Sequence, residues 1–134
     1  MNYLSAVDHA LGEMSTASDP DASVQAALHL AVAAWERCAP TGGSAADWSL
    51  FGTGVMAAIE LLYPTPAAIA IDLDEPRLPD CERIRARTAE LATAAAQVLH
   101  NASGRRTTDA RRRWEYESAA AELHRAARYL VRNP

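Results

Sequence analysis

The chain contains no lysine: all thirteen of its basic residues are arginine. That absence excludes a phosphate-loop lysine, a Schiff-base lysine and a pyridoxal-phosphate linkage. Cysteine occurs twice, as Cys38 and Cys81, with no C-x-x-C pair. Two thiols make no disulfide framework, so a reducing cytoplasm is the expected home. No apolar run approaches the roughly 20 residues of a membrane span. The opening MNYLSAVDHALGEM has no basic start and carries Asp8 and Glu13, unlike a signal peptide. The four histidines, His9, His29, His100 and His124, enter neither an H-E-x-x-H nor an E-x-x-H motif. The zincin and di-iron bundle patterns are therefore missing, and neither a metal nor a cofactor is expected. There is no internal repeat, low-complexity tract or second domain.

What is present is 134 residues, enough for one domain with one core. Alanine occurs 30 times, and with arginine in place of lysine this suggests a GC-rich genome of the actinobacterial kind. The net charge of −4 is divided unevenly. Residues 1–76 hold ten acids and one arginine, a charge of −9, whereas residues 77–134 hold twelve arginines and seven acids, a charge of +5. The two halves are expected to neutralise each other, within the chain or across a dimer. An acidic protein gains little from the counterion release that drives nucleic-acid binding, so nucleic acid is not the expected partner.

Apolar residues recur at helical spacing in five segments. Leu4, Val7, Leu11 and Met14 stripe residues 3–16. Asp19 before Pro20 signals a helix start, and Val24, Leu28, Ala31, Trp35 and Cys38 share a face until Pro40-Thr41-Gly42-Gly43. Ser44 with Asp47 resembles a capping box opening a third helix, striped by Trp48, Phe51, Val55, Ile59 and Leu62. A fourth helix spans about 80–102. A fifth spans about 108–132, capped by Thr107 or Thr108. Between the third and fourth, four prolines (Pro64, Pro66, Pro76, Pro79) make 64–79 irregular, its AAIAIDLDE core readable as strand or short helix. The fold expected is all-α, a compact bundle of four to five helices in a single domain.

One motif stands against that reading. Gly52-Thr53-Gly54-Val55-Met56-Ala57 fits G-x-G-x-x-A, and Asp72 and Asp74 follow at the spacing of a ribose-binding acid. The stretch LFGTGVMAAIELLYPTPAAIAIDLDEP locally resembles the first half of a Rossmann-type S-adenosylmethionine-dependent methyltransferase, over about 27 of the 134 residues. The resemblance implies a cofactor turn at Gly52 and Gly54, with Asp72 or Asp74 on the ribose. A parallel sheet needs several strands, and no β-branched run follows Asp74. An interrupted helix, kinked at 52–54, is the simpler reading.

Three functions are carried forward. The first is a small cytoplasmic interaction or accessory protein, a homodimer or a partner of another protein, acting through a helical surface. Its interface candidates are Trp114, Arg125, Arg128 and Arg132, residue types enriched at binding hot spots. The second is a small-molecule-binding or enzymatic bundle, with a pocket of Trp48, Phe51, Gly52, Met56 and Tyr63 at the helix interruption. The third is the truncated nucleotide binder that the resemblance implies, using Gly52, Gly54, Asp72 and Asp74. No nucleophile–base pair is evident from spacing, and no membrane association is expected.

Overall fold

In a computed structural model that describes residues 1–16, 18–38, 45–65, 69 and 71–131, the chain is all-helical, with no strand among those residues. Five helices follow in order: α1 (Tyr3–Thr16), α2 (Pro20–Arg37), α3 (Ala45–Leu62), α4 (Glu82–Ser103) and α5 (Ala110–Leu130). Each occupies a segment marked by its apolar stripe. Asp19 caps α2 by accepting the Asp21 N–H at 3.0 Å, and Pro20 sits where no amide donor is needed. The cap of α5 differs from expectation. Asp109 accepts the Arg112 N–H at 2.8 Å, while the Thr108 hydroxyl donates to the Ala102 carbonyl and ties the loop back to α4. Ser44, the Pro40-Thr41-Gly42-Gly43 stop and Pro66 lie outside the described residues.

Polar contacts at one end of the bundle fix its topology. Tyr63, just past α3, bonds Asp21 at the start of α2, and Arg112 at the start of α5 bonds both Asp21 and the Leu62 carbonyl. Arg113 donates to the carbonyl of Ser103 at the end of α4. Helices α2 and α5 therefore run one way, and α3 and α4 run the other. The packed pairs α2·α3, α3·α5, α5·α4 and α4·α2 close a four-helix ring, and α1 lies against α2 and α4. Because α3 and α4 are parallel, the chain has to return the full length of the bundle between them. The described residues between α3 and α4 belong to that crossover, and Pro64, Pro76 and Pro79 keep them from continuing as helix. The crossover lies beside α1 and α2: the Asp74 N–H donates to the Met1 carbonyl and the Leu78 N–H to the Arg37 carbonyl.

The core is aliphatic and alanine-rich around one aromatic group. Trp48 and Phe51 are fully buried and meet edge to face, with ring centroids 5.8 Å apart. The Trp48 indole N–H donates to Asp80 at 2.9 Å, so a buried donor is satisfied at the crossover's end. Tyr3 is also fully buried, and its hydroxyl pairs with that of Thr88 at 2.6 Å. This bond and the Arg87–Asp8 ion pair hold α1 to α4.

Helix α3 is continuous, which corrects the expected interruption at 52–54. Both glycines are sites of close approach. A Cβ on Gly52 would lie 2.3 Å from the Trp35 indole of α2, and one on Gly54 would lie 2.9 Å from the Ala126 Cβ of α5. Gly54, which has no evident packing role in the sequence, thus opens the α3–α5 seam. By length and composition α3 is also apolar enough to cross a bilayer, against expectation, but its Trp48, Phe51 and Val55 face is built into the core.

Candidate functional site

The two oppositely charged halves meet inside one chain. Asp21 receives the Arg112 guanidinium at 2.9 Å, the Tyr63 hydroxyl at 3.0 Å and the Tyr116 hydroxyl at 3.0 Å. The guanidinium also stacks on the Tyr116 ring, 4.8 Å from its centroid. Burial, then the charge of Asp21, raises the Tyr63 phenol; burial likewise leads in raising that of Tyr116. For Arg112, burial works against the charge, but bonds with Tyr116 and Glu115 and the pull of Asp21 outweigh it and hold the proton more firmly. At the other end Arg85 bridges Asp47 at 3.1 Å and approaches Asp80 at 3.5 Å. These ion pairs and hydrogen bonds tie helix ends together, although the buried Arg85 Nε makes no hydrogen bond among the described residues.

The five residues expected to form a ligand pocket do not converge. Trp48 and Phe51 are core, the space beside Gly52 is filled by Trp35, and Met56 points outward at 37% exposure. Tyr63 lies at the opposite end of α3 on Asp21. The nucleotide reading is corrected on the same grounds. Gly52 and Gly54 lie in mid-helix, not at a helix start whose free N–H groups would meet a phosphate. Asp74 pairs with the Met1 amine at 3.2 Å, and Asp72 lies on the crossover.

The interface candidates lie on the surface. Trp114 is 62% exposed, the most open of the large apolar side chains. Arg125 and Arg128 are exposed on the same outward stripe of α5, with Arg125 held by Glu122 at 3.0 Å. Arg132 lies outside the described residues. Next to this stripe is a surface that sequence reasoning missed, the outer face of α3. Ala46, Ser49, Leu50, Thr53 and Met56 recur there at helical spacing, all exposed, and Glu60 is its one exposed charge. A shallow groove of about 180 Å³ joins this face to α5, between Leu50, Thr53 and Ala57 on one side and Arg125 and Tyr129 on the other. Gly54 and Ala126 form its floor. The signal was in the sequence: α3 has only Asp47 and Glu60 as charges, too few to clothe an outer face.

A larger cavity, about 650 Å³, opens between α1, α2 and crossover residues 71–73. Its walls are mainly Ala6, Ala10, Ala22 and Ala26 with Ile71 and Leu73, and its rim carries His9, Glu13, Asp19 and Asp72. Among the described residues, no three His, Cys, Asp or Glu side chains converge as metal ligands. Cys38 is buried and Cys81 exposed, both as free thiols. Burial first, then Asp80 and Cys81, pushes the Cys38 thiol up to about 11, which keeps it protonated and unreactive at neutral pH. No known protein family, curated protein or solved structure matches this chain.

Proposed function

We propose that the protein is a small helical interaction protein that pairs with a second copy of itself through the outer face of α3 and the adjoining C-terminal half of α5. One observation carries the reading: α3 holds only two acids, Asp47 and Glu60, and its outer face opens Leu50 and Met56 to solvent among the uncharged Ala46, Ser49 and Thr53. Large apolar side chains exposed on a nearly uncharged helix face mark an association site. The neighbouring α5 stripe offers both signs, Glu122 beside Arg125 and Arg128, as a self-complementary twofold contact needs. Trp114 lies on that stripe eleven residues before Arg125, about 16 Å along the helix, in the N-terminal half of α5. Two free thiols suit a reducing cytoplasm.

Sedimentation velocity tests the proposal. The wild-type chain sediments as a dimer. Leu50→Glu and Met56→Glu, both at exposed positions, give monomers with unchanged helicity, whose unfolding midpoint no longer depends on protein concentration. Trp114→Ala weakens the dimer only if the contact extends to that end of α5. A wild-type monomer, or a dimer indifferent to Leu50→Glu and Met56→Glu, overturns the assignment.

A further inference from the structure

We propose that the cleft between α1 and α2 is a binding site for an organic ammonium, a small molecule with an apolar body and a positively charged amine. This site is separate from the α3–α5 face. Its volume, about 650 Å³, lies in the range of small-molecule sites.

The apolar half of the recognition comes from small side chains held apart. Ala6 and Ala10 on α1 line the cleft opposite Ala22 and Ala26 on α2. Alanine faces let two helices close on each other, but here Ile71 and Leu73 of the crossover also line the space. That strap is fastened at both sides. Arg37 donates to the Glu75 carbonyl at 2.7 Å and to that of Leu73 at 3.4 Å, the Asp74 N–H reaches the Met1 carbonyl at 3.1 Å, and the Tyr3 N–H reaches the Glu75 carboxylate. The result is an alanine-walled space with aliphatic strap residues at its side, fit for a ring or short chain.

The charged half comes from the rim. Glu13, Asp19 and Asp72 each come from a different wall, and no arginine lines the cleft among the described residues. The nearby cations are already engaged: Arg37 with the strap carbonyls and the Met1 amine with Asp74. His9 stands 3.6 Å from Glu13, and the Ser23 hydroxyl is turned to the Asp19 and Pro20 carbonyls. An anion is repelled at this rim, and a neutral alcohol gains only a hydrogen bond without charge attraction. An ammonium head finds carboxylates while its body displaces water from the alanines.

A matched set of probes separates these terms: phenylbutylamine, phenylbutanol and phenylbutyrate, with one apolar body and three different heads. Each is titrated into the full chain and followed by backbone amide shifts in nitrogen-edited NMR. The amine is expected to move amides of α1, α2 and residues 71–73, with at least about tenfold tighter binding than the alcohol or the carboxylate. Added salt narrows that gap. The double variant Glu13→Gln/Asp72→Asn, which leaves only Asp19 at the rim, narrows the amine's advantage over the alcohol at least about threefold. Ala26→Leu, at an exposed helical position that tolerates leucine, fills the cleft and removes binding of the amine. The proposal is overturned if the three probes bind alike, if the carboxylate binds best, if no probe moves these amides, or if Ala26→Leu leaves amine binding intact.

Discussion

Small residues line both the α3–α5 seam and the α1–α2 cleft, with opposite outcomes. At the seam, Gly54 leaves out the Cβ that would strike Ala126, and the helices close up. One seam over, Gly52 does the same for the Trp35 indole of α2. At the cleft, α1 and α2 also pack on each other, yet about 650 Å³ stays open between Ala6, Ala10, Ala22 and Ala26 and the fastened strap. Small side chains permit close approach without enforcing it. What borders the helices differs: a neighbour's side chain in one case, the crossover in the other.

Substitutions at these small residues test that contrast, and the largest effect belongs to Gly52→Ala. The added methyl would displace an indole ring, and we expect a loss of about 2 kcal/mol by urea unfolding, overpacking outweighing the gain in helix propensity. Gly54→Ala strikes the Ala126 Cβ, which is fixed to the α5 backbone, so the two helices must move apart, but from a longer 2.9 Å contact, and about 1 kcal/mol is expected from the same measurement. Gly12→Ala reverses the sign. No atom lies within 4 Å of its added Cβ, so α1 gains about 0.7 kcal/mol. Equal losses at all three glycines would show that closeness of packing is not what separates them. Ala26→Leu, in the open cleft, should change stability by less than about 0.5 kcal/mol.

A last effect is absent at neutral pH. The folded Cys38 thiol keeps its proton to about pH 11, whereas an unfolded thiol releases it near the ordinary value of about 9. Stability is therefore untouched below about pH 9 and falls as pH rises from there to about 11. Unfolding midpoints across that range check it, as does alkylation of the native protein at neutral pH, which should modify Cys81 alone.

The helices were legible because their signals are local. Apolar stripes set α1 to α5, and Asp19-Pro20 fixed the start of α2. Gly104 caps the C-terminal end of α4. The opposed charge of the two halves was also legible, and Arg112–Asp21, Arg85–Asp47 and Arg87–Asp8 show where it is spent. The meaning of Gly52 and Gly54 was not, because it depends on Trp35 and Ala126, which only the packed bundle brings opposite. G-x-G-x-x-A reads the same in a phosphate turn and in a helix with two close neighbours. The cleft was hidden for a related reason: its wall at 71–73 belongs to a connection with no helical period, placed by backbone bonds to Met1 and Arg37.

The α3–α5 face should behave differently from the rest of the surface as the chain is concentrated. A concentration series of nitrogen-edited NMR spectra reads it in one measurement. Self-association predicts that amides near Leu50, Thr53, Met56, Arg125 and Tyr129 shift and broaden as concentration rises, while those lining the α1–α2 cleft stay fixed. Spectra unchanged across the series, or changes confined to α1 and α2, would contradict it.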